Sequence, residues 1–113
     1  MSPTKRKPGG DVGVAEPKTK AKPKLDRPRV WKVLLHNDDY TPMEFVTLIL
    51  REVFNKSDAD STAIMLHAHT HGMAVAGVYS FEIAETKVQQ TMALADKHGF
   101  PLLCTMEPDD APT

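Results

Sequence analysis

The chain has a single cysteine, Cys104, in 113 residues, so no internal disulfide can form. One unpaired thiol in an apolar segment fits a reducing compartment better than an oxidising one. Aromatic side chains are scarce, at 6% of the residues, and none precedes Trp31. Long apolar runs are missing too. Outside the folded pattern nothing reaches the length of a signal-peptide core or a membrane span, so the expected location is the cytoplasm. There is no CxxC pair, and neither a glycine-rich loop nor a nucleophile motif accompanies the acidic residues. Ser57 and Ser80 stand at helix starts, where capping occupies them, and Cys104 lies among apolar neighbours, where a thiol is usually inert. An enzyme is not expected, and no cofactor is implied.

What is present is unevenly distributed. Residues 1–29 hold nine Lys/Arg against three Asp/Glu, whereas residues 30–113 hold five against twelve. The formal charge of −1 therefore conceals a basic arm joined to an acidic body. Five of the nine prolines and three of the six glycines also fall in the arm. Such a segment cannot bury enough apolar surface to offset its ordering entropy, and disorder is expected over residues 1–27. Basic arms can bind nucleic acid through phosphates, but these lysines alternate with Pro, Thr, Ala and Gly and offer bases nothing to stack on. A solubilising or tethering tail is the plainer reading.

The body reads as β-α-α-β-α-β. Arg29–Leu35 is rich in β-formers and reads as a strand covered on one face. A first helix is expected from Pro42 to about Phe54, with Thr41 as N-cap and Glu44 closing a capping box. Its apolar stripe is Phe45, Leu48, Ile49 and Val53, with Glu52 at the margin, and Asn55-Lys56 breaks it. Ser57 caps a second helix that ends at Gly72. Met73–Tyr79 is a second strand in which Gly77 permits a bulge or close packing. Ser80 caps a third helix through His98, with Phe81, Ala84, Val88, Met92 and Ala95 facing inward, and Gly99 ends it. Pro101–Met106 is a last strand, and the chain frays beyond it. Three strands and three amphipathic helices predict an α+β, two-layer fold, its antiparallel sheet covered by helices on one face.

The chemistry concentrates at Asn37-Asp38-Asp39, where an apolar strand runs into a helix start. Two carboxylates and an amide held at that junction suit a cation, or form an ordinary acidic turn. Met65, Ala68 and His69 share one face of the second helix. If that face turns toward Asn37–Asp39, His69 joins the acceptors and Met65 walls the space; otherwise His69 caps its own helix. His67, His69 and His71 alternate, but steps of two residues turn about 200° on a helix, so neighbouring members diverge. Glu82, Glu85 and Lys87 lie on the outer side of the third helix, a solvated face or a docking surface.

Across about residues 28–107 the chain resembles the ClpS family of bacterial adaptor proteins. Residues 37–46, NDDYTPMEFV, are close to a family signature, and AETKV at 84–88 and PLLCT at 101–105 agree in order. The resemblance implies a non-enzymatic adaptor that binds proteins whose first residue is Phe, Tyr, Trp or Leu. It also implies delivery to the AAA+ unfoldase ClpA for degradation by ClpP. By the same resemblance Asn37, Asp38, Asp39 and His69 surround the substrate's α-amino group. Leu35, Thr41, Met43, Val46, Met65, Ala68 and Leu102 line its side-chain pocket, and Glu82, Glu85 and Lys87 meet the ClpA N-terminal domain. The arm corresponds to the extension needed for delivery, although its basic composition departs from the family's best-known members. Ala68 stands where Val is frequent, which enlarges the pocket. Nothing in the pattern requires more than a monomer. The alternatives are a small metal-binding protein using the three alternating histidines and a nucleic-acid-binding module acting through the arm.

Overall fold

Strand β1, Trp31–His36, is the axis of the molecule. In the computed structural model, which describes residues 29–110, it pairs antiparallel with both β2 (Met73–Tyr79) and β3 (Leu103–Pro108), giving the order β2-β1-β3. Helices α1 (Met43–Glu52), α2 (Asp58–His71) and α3 (Phe81–Lys97) complete the expected β-α-α-β-α-β order. The arm expected over residues 1–27 lies outside the described residues, as do residues 111–113. Among those described, no helix is long and apolar enough to cross a membrane.

Strand alternation sorts the sheet into two faces. Val33 and Leu35 from β1, Ala74 and Ala76 from β2 and Cys104 from β3 turn toward the helices and are buried. Leu34, Val75, Met73 and Leu103 point the other way, where no helix lies; only Leu34, in the central strand, is shielded there. The register between β1 and β2 slips after Val33, leaving Ala76 as the extra residue between Gly77 and Val75. This is the bulge anticipated at Gly77. A Cβ there would strike the Tyr79 ring, so glycine lets the aromatic fold over the strand.

Helix α1 buries Phe45, Ile49 and Leu50, followed by Val53 and Phe54. Leu50 is buried where Leu48 was expected to be, and Leu48 stays 39% exposed. Helix α3 is likewise rotated from expectation. Ala84, Thr91 and Ala95 are buried, while Phe81 and Met92 sit at the edge. Small residues at these contacts let α3 approach the sheet closely, chiefly over β3 and β1. Phe81 is not lost to solvent, since its ring meets Trp31 edge-on at 4.9 Å. Strand β3 starts two residues later than expected, at Leu103, although Leu102 already turns inward and is buried. Strand β1 runs from Trp31 to His36 rather than from Arg29 to Leu35.

The ends of α2 behave as the sequence demands. The Ser57 hydroxyl accepts from the Asp60 N–H at 3.1 Å, and Gly72 terminates the helix at φ 92°. Gly99, at φ 75°, turns the chain after α3. Ser80 precedes α3 as expected but makes no side-chain cap.

Candidate functional site

Asp38 organises the segment between β1 and α1. One carboxylate oxygen accepts from the Tyr40 and Thr41 N–H groups at 2.8 and 2.7 Å, and the other from the Thr41 hydroxyl at 2.7 Å. Burial raises the carboxyl's pKa, but these three bonds to the charged form outweigh it and hold the group below its ordinary value. The capping box expected of Thr41 and Glu44 is therefore not made. Thr41 turns its hydroxyl back to Asp38, Pro42 is the cap residue without a side-chain bond, and the helix begins at Met43. Donating to Asp38 turns the Thr41 hydroxyl away from the N–H groups at the helix start, which it would otherwise accept from.

With Asp38 turned into its own loop, Asn37 and Asp39 on either side remain exposed. The Asn37 N–H donates to the Gly72 carbonyl at 2.8 Å, tying the loop to the end of α2. Together with the pairing of His36 and Met73, that bond sets the last turn of α2, and His69 with it, beside the acidic junction. One hollow of about 220 Å³ results. Around it stand all eleven residues that the sequence nominated: Asn37, Asp38, Asp39 and His69, together with Leu35, Thr41, Met43, Val46, Met65, Ala68 and Leu102.

The hollow is graded from dry to wet. Leu35, Ala68 and Leu102 are at most 5% exposed and form its floor, with Val46 and Met65 half-buried beside them. Met43 is 42% exposed and stands at the rim, as do Asn37, Asp39 and His69. Such a cup offers oxygen and nitrogen acceptors at the mouth and hydrocarbon below. It can take a molecule with a cationic or donor-rich end and an apolar end. A dry apolar cavity of about 150 Å³ is known to accommodate a benzene ring, so a single aromatic side chain fits this volume.

His36 also lines the hollow and was not among the nominated residues. Its adjacency to Asn37 was the available signal. Strand parity turns its ring toward the open sheet face, where Nε2 lies 2.7 Å from the Thr105 hydroxyl and links β1 to β3 just before the loop.

The three alternating histidines do not converge. His69 lines the hollow, whereas His67 and His71 stack on each other. It is His71, not His69, whose ring reaches a carbonyl at the helix end, that of His67. Their four-residue spacing places them on one helix face. Cys104 is buried and its thiol is pushed up to about 12 by burial, with Thr91 offsetting little, so it offers no nucleophile.

Glu82 and Glu85 are exposed on α3. Lys87 is engaged: its amine donates to the Val53 carbonyl at 2.6 Å and lies 5.7 Å from the centre of the Tyr79 ring. No α3 residue lines the hollow, so the two surfaces are separate.

Comparison with known proteins points one way. Residues 26–105 match the family model described as ATP-dependent Clp protease adaptor protein ClpS. The chain is 57% identical over 91 residues to the ATP-dependent Clp protease adapter protein ClpS of Phenylobacterium zucineum, covering 80% of this chain and 84% of that one. It is 52% identical over 109 residues to the protein of the same description from Desulfatibacillum aliphaticivorans, covering 96% and 100%. Among solved structures, Agrobacterium tumefaciens ClpS2 bound to L-phenylalaninamide superposes with a TM-score of 0.71 at 47% identity, covering 74% of this chain and all of that one.

Proposed function

The chain belongs to the ClpS family of Clp protease adaptors, proteins that are not enzymes, and from this premise we propose that it recognises proteins by a first residue of Phe, Tyr, Trp or Leu. We further propose that it hands them to the unfoldase ClpA for degradation by ClpP, acting in the cytoplasm as a monomer. The observation that carries this reading is the acceptor-rimmed, apolar-floored hollow. An α-ammonium has three donors and can leave water only if they find acceptors. Asn37 and Asp39 offer oxygens, and a neutral His69 offers a ring nitrogen. Asp38 acts by holding that loop in shape, since its own oxygens are already bonded to Tyr40 and Thr41. The first side chain enters among Leu35, Val46, Met65, Ala68 and Leu102, where burying an aromatic contributes roughly 2–3 kcal/mol before the cost of association.

L-phenylalaninamide, the ligand of the Agrobacterium structure, has the free amine and benzyl group that this arrangement would receive. Separation of α3 from the hollow supports the delivery role. Glu82 and Glu85 can meet an unfoldase domain while the hollow is filled, with Lys87 bracing α3 against the end of α1. Residues 1–27 are assigned to delivery and residues 28–107 to binding.

Titration with peptides that differ only in their first residue tests the reading. Phe and Leu peptides should bind, and an Ile peptide should bind at least about tenfold more weakly, because Met43 at the rim crowds a branched Cβ. Met43→Ala should admit Ile. Rejection of Ile by that variant as strict as before would remove Met43 as the gate. Deleting residues 1–27 should leave peptide affinity unchanged while abolishing degradation of a Phe-initiated substrate by the reconstituted protease. Equal degradation would leave the arm without its role.

A further inference from the structure

The outer side of α2 holds two histidines that the hollow does not use. His67 and His71 are both exposed, four residues apart, and their rings stack with centres 4.1 Å apart and planes 19° from parallel. His71 Nδ1 lies 3.2 Å from the His67 carbonyl oxygen. A carbonyl can only accept, so Nδ1 carries the hydrogen in this contact and Nε2 keeps its lone pair. A ring whose far nitrogen donates to a main-chain carbonyl is held in one orientation and leaves its other nitrogen free for a metal ion. His71 lies in the last turn of its helix, where the dipole and the free carbonyls favour a cation, and His67 sits one turn before it.

We propose that His67 and His71 form a surface chelate for a divalent late transition-metal ion, with water completing its coordination. Imidazole ligands suit Cu²⁺, Ni²⁺ and Zn²⁺, with Cu²⁺ the tightest of the three for a given site. Metal–nitrogen bonds of about 2.0–2.1 Å place two adjacent ligand atoms about 3 Å apart, so the rings must turn out of their stack to aim both lone pairs at one ion. Among the described residues no group of three or more His, Cys, Asp or Glu could hold a metal ion. The site is thus an open, exchangeable one and not a closed structural zinc centre, and His69 takes no part in it. It stands independently of the peptide-binding reading.

Calorimetric titration of the full chain with Ni²⁺, together with the histidine ring signals in NMR, is the test. The intact chain should bind one ion, broadening the His67 and His71 signals first. His67→Ala and His71→Ala should each weaken binding at least about tenfold, because the second ligand then no longer binds intramolecularly. Adding Ala63→His to the His71→Ala chain restores a four-residue pair with His67 and should recover most of the affinity. His69→Ala should bind Ni²⁺ as the intact chain does. The proposal is overturned if both single variants keep full affinity, if Ala63→His rescues nothing, or if His69→Ala loses as much as they do.

Discussion

A Phe-initiated peptide with an acetylated N-terminus is expected to bind at least about 30-fold more weakly than the same peptide with a free amine. Acetylation removes the positive charge and two of the three donors, but the benzyl group still enters the floor of the cup. Acceptors at the mouth would then be covered without partners. Truncating one side of a buried, hydrogen-bonded charge pair costs about 2–5 kcal/mol, or roughly 30-fold to several-thousand-fold in affinity. The rim here is exposed, so water can relieve part of that penalty, and the lower end applies. Fluorescence anisotropy with the two peptides measures the ratio. Superimposable curves would mean that the apolar floor alone captures the ligand and that Asn37, Asp39 and His69 do not act on the amine.

The second large effect is expected at Asp38, through shape and not contact. Asp38→Ala removes the acceptors of the Tyr40 N–H, the Thr41 N–H and the Thr41 hydroxyl together. These groups are exposed or half-buried and regain water, so the expected loss of stability is about 1–2 kcal/mol. For a domain of this size that lowers Tm by roughly 5–15 °C. Peptide affinity should fall at least about tenfold, because Asn37 and Asp39 lose the loop that presents them. The hydrogen bonds hold the Asp38 carboxyl below its ordinary 3.8, despite burial acting the other way. A depressed folded pKa stabilises the fold above the unfolded value, and that contribution disappears as pH falls through the lower folded one. The gap in stability between the intact chain and Asp38→Ala should accordingly be full near neutrality and close below about pH 3.8. A gap that persisted undiminished at pH 2 would show that the carboxylate's charge is not what organises the loop.

Local signals carried much of this molecule. Ser57 and Gly72 delimit α2 as their chemistry requires, and Gly77 marks the bulge in β2. Where prediction slipped, two partners competed for one group or two faces had similar hydrophobicity. Thr41 could accept from the start of α1 or donate to Asp38, and the sequence cannot rank partners whose distances it does not contain. Leu48 and Leu50 are equally apolar, and only the packing of the folded chain decides which is buried. Thr91 is polar, yet it lies fully buried in α3 because a small side chain fits where the helix meets the sheet. His67 and His71 are a four-residue pair in the sequence, but the stacking of their rings exists only in the folded helix.

By itself the sequence determined the order of elements, the fold class and the family, since these rest on periodicity, turn chemistry and short motifs. It also named the eleven residues that ring the hollow, through the resemblance those motifs support. Tertiary structure decided that the residues enclose one space. The bond from the Asn37 N–H to the Gly72 carbonyl joins segments 35 positions apart in the chain, and no local pattern encodes that closure. It likewise decided the division of labour among the acceptors, with Asp38 turned inward and Asn37 and Asp39 left free. Hydrogen bonds are allotted by distance and direction, which exist only once the chain is folded.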